Sequence, residues 1–179
     1  MSDRTVPVPS SLRIAAVAVL TAVTFVIGYF VRLPLPATQG IFTLADLAIF
    51  FAAFAFGPYS AAIAGGAGTA LIDVIGGTAQ YAPISLLVHG LEGLVAGAIA
   101  AAGKKGPREI VLWIIAGAAG IILVAGGYFL AEVVFFGGPA TAVTEVLPNV
   151  AQGGIGAVGG ALLTAAVRRA YPPVQGLRW

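Results

Sequence analysis

Cysteine is absent from the 179 residues, and histidine occurs once, at position 89. The first absence excludes disulfides, thiolate metal sites and a cysteine nucleophile; the second leaves no cluster with metal-ligand spacing. Charge is scarce as well. Only 9% of residues are Asp, Glu, Lys or Arg, where an average soluble domain carries about a quarter. With 59% hydrophobic residues and a mean hydropathy of +1.01, the chain cannot build an ordinary water-facing surface, so it reads as an integral membrane protein of one domain, residues 1–179. A pI near 9.2 would suggest nucleic acid in a soluble protein. Here the basic residues in the loops explain it.

What is present in abundance is apolar sequence. A span needs about 17 to 25 residues to cross a hydrocarbon core roughly 30 Å thick. Six runs qualify as segments: 14–31, 44–56, 59–75, 84–102, 110–130 and 146–167. The second is short, but it is too apolar for a wet loop, and "FGPY" at its end signals a turn into the next helix. None shows the alternation of barrel strands, so the expected fold is all-α with six transmembrane helices.

Lys and Arg set the orientation, because cytoplasmic loops hold their excess. Placing the N-terminus inside puts Arg4, Arg13, Lys104, Lys105, Arg108, Arg168, Arg169 and Arg178 on the cytoplasmic side and leaves only Arg32 outside. Both termini are then cytoplasmic, with tails at 1–11 and 170–179. The first run is longer than a signal-peptide core and reads as an uncleaved first helix.

Small residues four apart, Ala18/Ala22, Gly93/Gly97 and Gly156/Gly160, allow close helix packing in lipid. Ala15, Ala18 and Ala22 form a smooth stripe that could instead face another subunit. "GIGAVG" matches a dinucleotide fingerprint on paper, but it lies inside a span with no preceding strand. "GAIAAAGKKG" lacks the spacing and the Ser/Thr of a phosphate-binding loop. No cofactor is expected.

Polar residues at depth are costly unless they face protein or water. Asp46, Asp73, His89, Glu92, Glu132, Glu145, Asn149 and Gln152 all lie in or near the apolar runs. His89 and Glu92 are three apart, Tyr128 and Glu132 four apart, and Glu145, Asn149 and Gln152 step by four and three along one face. With Tyr81, most of these fall in the outer half, and His89 and Glu92 lie deepest. The pattern predicts a polar pocket opening outward, built from helices four to six, with lids from the loops "RLPLPATQGIF" and "FFGGPATAVTEVLP". The bland readings are Asp46 and Asp73 as caps or interhelical ties, His89 as a structural histidine, and Asn149 and Gln152 as interhelical hydrogen-bond glue.

The segments "FTLADLAIFFAAFAFGPYSAAIAGGAGTALIDVIGG", "YAPISLLVHGLEGLVAGAIA" and "GYFLAEVVFFGGPATAVTEVLPNVAQGGIGAVGG" resemble the substrate-binding S component of energy-coupling factor (ECF) vitamin transporters. The likeness runs from about residue 12 to 169 and is greatest to the riboflavin-type branch, which includes hydroxymethylpyrimidine and pyridoxine transporters. It rests on "GLEGL", "GYFLAE" and the E-x-x-x-N-x-x-Q pattern together. The resemblance implies six helices, a vitamin held near the outer face of a prokaryotic cytoplasmic membrane, and a membrane scaffold subunit with two cytoplasmic ATPases as partners. It implies a docking role for Ala18 and Ala22, and ligand-binding roles for Glu92, Tyr128, Glu132, Asn149 and Gln152. His89, Tyr81 and Glu145 join the candidate set on position and chemistry alone.

A buried carboxylate suits a ligand with N–H donors or a protonatable ring nitrogen. Aminopyrimidine and pyridoxine both fit, and their hydroxymethyl groups suit Asn149 or Gln152. Riboflavin would want more stacking surface, and a queuosine precursor stays open. The competing class is an autonomous proton-coupled carrier in which His89 and Glu92 relay protons. No assembled catalytic site is visible, so the chain does not read as an enzyme.

Overall fold

The structure is a computed structural model and describes residues 9–35, 40–103 and 106–178. Six helices dominate: α1 (Ser10–Phe30), α2 (Ala45–Phe56), α3 (Pro58–Gly76), α4 (Ala82–Ala101), α5 (Pro107–Phe135) and α6 (Gly138–Ala170). A hairpin of β1 (Arg32–Pro34) and β2 (Ile41–Thr43) joins α1 to α2, with Leu33 opposite Phe42. Short 3₁₀ turns precede α4 (Ala79–Tyr81) and follow α6 (Pro172–Leu177).

All helices but α2 are long and apolar enough to cross a bilayer, which makes this a multi-pass membrane protein. At about 1.5 Å per residue, the twelve residues of α2 extend only about 18 Å, short of the hydrocarbon thickness. Its position explains the shortfall. Ile49, Phe50, Ala52, Ala53 and Phe54 are all fully buried, because α1, α3, α4 and α6 surround α2. A helix apolar on every face beyond its first turn, where Asp46 stands, belongs in a core. The β2 strand feeds one end of α2 and the 3₁₀ turn after α6 packs against it. Outside this core, Ile114, Ile122, Leu130, Leu147, Val158 and Leu162 form part of an exposed apolar belt suited to lipid.

The dipeptide Gly-Pro marks three helix starts. Gly57 and Gly106 take φ of 99° and 111°, a region open mainly to glycine, and the proline that follows each sits in the first turn, where its missing N–H costs nothing. Two glycine seams then set the helix spacing. A Cβ on Gly93 would lie 2.5 Å from the Ala61 backbone, and Gly97 packs likewise on Pro58, so α4 lies directly on α3. A Cβ on Gly156 would lie 2.5 Å from the Asp46 Cβ, and Gly160 meets Phe50, so α6 lies directly on α2. The spaced small residues of the sequence thus mark these two interfaces. On α1 the buried positions are Leu20, Thr24 and Gly28, whereas Ala15, Ala18 and Ala22 are exposed.

One expectation needs correction. The segment "FFGGPATAVTEVLP" is not a loop: α5 runs on to Phe135 and α6 begins at Gly138, eight residues before the apolar run at 146. The extra turns carry Thr141, Thr144 and Glu145, whose polarity hides a helix from a search for apolar runs. The other anticipated loop supplies both strands of the hairpin, and its residues 36–39 lie outside the described residues. Arg108, Arg168, Arg169 and Arg178 lie at the bundle end opposite the hairpin, and Arg32 lies on the hairpin itself. Arg4, Lys104 and Lys105, also used for orientation, fall outside the described residues.

Candidate ligand-binding site

Beneath the hairpin lies a cavity with about 40 Å³ of free space, room for about three water molecules. Each wall has a sequence logic. From α3 come Thr69, Ile72 and Asp73; from α4 and the turn before it come Tyr81, Ser85 and His89, spaced by fours; α6 gives Glu145, Asn149 and Gln152. These spacings put each set on one helical face. Tyr128 enters from α5, and the hairpin closes the top with Leu35, Gly40, Ile41 and Thr43.

Three hydrogen-bonded groups hold the walls. Asp73 accepts from Thr78 Oγ1 at 2.8 Å and from Ser85 Oγ at 2.5 Å. Ser85 Oγ is also 2.6 Å from Tyr128 Oη. With the serine hydrogen directed to Asp73, the tyrosine supplies the hydrogen of that second bond, so α3, α4 and α5 are tied through one carboxylate.

Deeper down, His89 Nδ1 is 2.7 Å from Glu92 Oε2 and 3.5 Å from Asp46 Oδ1. Gln152 Nε2 donates to both Asp46 oxygens at 3.2 and 3.3 Å, and its Oε1 accepts the Thr43 backbone N–H at 2.7 Å. With Asp46 and Glu92 ionised, Nδ1 carries the hydrogen toward them and Nε2 is the second ring nitrogen. In the neutral ring Nε2 accepts; in the imidazolium it donates. Gln152, fixed from both ends, links the hairpin base to this histidine.

The third group forms a clasp. Tyr81 Oη donates to Glu132 Oε1 at 2.5 Å, and Glu132 Oε2 accepts the Gly137 N–H at 3.2 Å. The Tyr81 and Phe136 rings lie 4.4 Å apart. This joins the turn before α4 to the α5–α6 turn. On the other side Arg32 Nη1 donates to the Gly76 carbonyl at 3.1 Å, pinning the hairpin to the C-terminal end of α3, where a cation is favoured.

The sequence candidates therefore divide. Tyr81, His89, Tyr128, Glu145, Asn149 and Gln152 line the cavity. Glu92 and Glu132 are 0% and 1% exposed and stand behind the lining, against His89 and Tyr81. Thr43, Thr69, Thr78 and Ser85 line it too, without having been singled out in the sequence; Ser85 could have been found midway between Tyr81 and His89. Ala15, Ala18 and Ala22 lie far from the cavity, and Ala18 and Ala22 border an external apolar groove between α1 and α3.

The electrostatics are one-sided. Asp46, Asp73, Glu92, Glu132 and Glu145, five of the seven acidic residues, are buried at or beside the cavity. The nearby basic side chains are His89 and Arg32. Among the described residues the buried donors Asn149 Nδ2 and Arg32 Nε make no hydrogen bond, and neither does the acceptor Glu92 Oε1. Such a chamber suits a compact ligand rich in N–H groups. Asp46, His89 and Glu92 also bring ligand atoms within 4.8 Å of one another, a donor set a divalent cation could use, though Asp46 and His89 are already engaged with Gln152 and Glu92.

Comparison with known proteins follows the same direction. The sequence pattern of the family described as "ECF-type riboflavin transporter, S component" matches residues 9–169. The chain is 30% identical over 158 residues to the thiamine precursor transporter HmpT of Lactococcus lactis subsp. cremoris (strain MG1363), covering 88% of each protein. It is 35% identical over 144 residues to a Pyrococcus woesei protein known as "Uncharacterized protein in gap 3'region", covering 80% of this chain and 93% of that one.

Proposed function

The chain belongs to the family of ECF-type riboflavin transporter S components, and from that premise we propose that it captures a small thiamine precursor, a hydroxymethylpyrimidine-like ring, for uptake across a prokaryotic cytoplasmic membrane. The family is one of transport components rather than enzymes. The observation that carries the substrate class is the cavity itself: small, lined by Asp73, Glu145 and several hydroxyls, and holding an Asn149 donor with no partner among the described residues.

In this reading an aminopyrimidine gives its exocyclic N–H groups to Asp73 or Glu145, and a ring nitrogen or hydroxymethyl oxygen accepts from Asn149. His89 Nε2 is the adjustable partner, acceptor or donor as the ligand requires. The aromatic side chains lining the cavity are Tyr81, Tyr128 and His89, a modest stacking surface for the three fused rings of riboflavin. Pyridoxine, similar in size and polarity, ranks second.

All six helices cross or line the membrane, both termini are cytoplasmic, and the hairpin end faces outward, as the basic residues favour. At 40 Å³ the cavity must widen to admit a ring. The hairpin and the α5–α6 turn are the parts that move, because the Arg32 contact and the Tyr81–Glu132 clasp are what hold them down. The exposed Ala15, Ala18 and Ala22 surface docks on a membrane scaffold subunit, and two ATPases bound to the scaffold drive the release inward.

Reconstituted vesicles test this. Uptake of labelled hydroxymethylpyrimidine should require the scaffold, both ATPases and ATP, and should survive a protonophore. Uptake by this chain alone, abolished by the protonophore, would favour the proton-coupled alternative built on His89 and Glu92.

A further inference from the structure

The end of the bundle opposite the vitamin cavity carries a second set of polar groups. Arg168 Nη1 bonds Glu109 Oε1 at 2.6 Å and its Nη2 bonds the Phe54 carbonyl at 2.8 Å. Its guanidinium stands 5.1 Å over the Trp113 ring, which stacks on Phe54 with centroids 4.9 Å apart. Arg178 folds back beside this pair on the 3₁₀ turn after α6, whose Val174 is buried. Burial holds the Arg178 guanidinium below the usual arginine value; Arg168 pushes the same way and Glu109 opposes it.

Glu109 pairs with Arg168, and Arg178 is a second guanidinium close enough to feel both. Among the described residues four buried N–H groups here make no hydrogen bond: Trp113 Nε1, Arg168 Nε, and Arg178 Nε and Nη2. Buried donors are nearly always satisfied, and an unmatched cluster with excess positive charge asks for an anion.

An apolar groove starts from the same Trp113. It runs between α5 and α6 past Gly117, Ile121, Gly154, Ala157 and Ala161, with a free volume of about 390 Å³. From Trp113 to Ile121 the groove extends about 12 Å along α5, most of one leaflet's hydrocarbon depth of about 15 Å. Small residues make its floor, and Gly154 has nothing within 4 Å of where a Cβ would stand.

We propose that this groove and the donors at its mouth form a binding site for one anionic phospholipid, with an acyl chain along Gly117, Gly154 and Ala157 and the phosphate on Arg178, Arg168 and Trp113. The leaflet is the inner one in the orientation proposed above; the binding itself does not depend on that orientation or on the vitamin. A phosphate satisfies several donors at once and neutralises the extra charge, while the groove selects for an attached chain. The lipid would hold the tail turn against α2.

Native mass spectrometry from detergent, with equal amounts of phosphatidylglycerol and phosphatidylcholine, tests this on the full chain. The expected result is one phosphatidylglycerol adduct preferred about tenfold over phosphatidylcholine, because both lipids bring the phosphate but the choline cation cancels its charge and is repelled by the guanidinium groups. Arg178→Gln should bring the two lipids to parity, and Gly154→Leu, which fills the groove, should remove the adduct; helical circular dichroism and the unfolding temperature in detergent, unchanged in both variants, check that the fold is intact. Equal retention of the two lipids by the unmodified chain, or an Arg178→Gln protein that keeps the preference, would overturn the proposal. So would retention of inorganic phosphate in place of lipid, with Gly154→Leu having no effect, since that is a soluble-anion site.

Discussion

Tyr81 and Glu132 meet at 2.5 Å behind the cavity wall, joining the turn before α4 to the end of α5. Because Glu132 also accepts the Gly137 N–H, one carboxylate fastens the α5–α6 turn to Tyr81, which lines the cavity. Tyr81→Phe or Glu132→Gln should therefore act on ligand release. We expect dissociation to speed up about tenfold to a hundredfold, matching the 1–3 kcal/mol of a buried hydrogen bond, with no added loss in the double variant. Stopped-flow dissociation rates would read this.

Arg32 is the corresponding anchor for the hairpin, through the Gly76 carbonyl. Arg32→Ala should raise both association and dissociation rates by loosening the entrance, and so change Kd less than either rate. A pure loss of affinity carried by slower association would contradict the anchor role.

Glu92 stands behind His89 and does not line the cavity. Its influence on a ligand has to pass through the imidazole. Glu92→Gln should weaken binding about tenfold by altering the Nδ1 partner, and the same change on a His89→Ala background should have almost no effect. Titration calorimetry on the four proteins checks the coupling.

The α2–α6 seam has no room for a methyl group at Gly156, whereas Gly126 on α5 meets nothing within 4 Å. Gly156→Ala should cost about 1–3 kcal/mol of stability as an overpacked contact and should displace Asp46. Gly126→Ala should unfold at the temperature of the parent. Thermal unfolding in detergent compares them.

On α1 the proposed docking stripe is exposed and remote from the cavity. Ala18→Trp with Ala22→Trp should leave vitamin binding by the isolated chain intact while abolishing ATP-driven uptake. Transport that persisted would place the scaffold contact elsewhere.

Much of this architecture was legible in the sequence because hydrocarbon imposes a simple rule: long apolar runs become helices that satisfy their own backbone. The rule failed at the first turns of α6, where Thr141 and Thr144 bond their own helix and Glu145 lines the cavity, so that the stretch read as loop. Glycine spacing announced close packing at Gly93 and Gly156 but not which helix each would meet. Within the site, i, i+4 spacing grouped Glu145, Asn149 and Gln152 on one face, yet it could not distinguish a residue facing the cavity, such as Tyr128, from one turned to a neighbouring turn, such as Glu132. Hydroxyls were the least visible. Thr69 bonds its own helix at the Gly65 carbonyl, 2.7 Å away, as any threonine in a membrane helix can, and nothing in the chain's spelling marks it as a wall of the cavity.

The most direct test is native mass spectrometry of the protein purified gently from cells supplied with vitamins, beside an Asn149→Leu variant that removes the unpartnered donor. The account predicts a bound mass equal to hydroxymethylpyrimidine in the parent and its loss in the variant. A parent protein that carries riboflavin, or that stays empty when offered hydroxymethylpyrimidine, would contradict it.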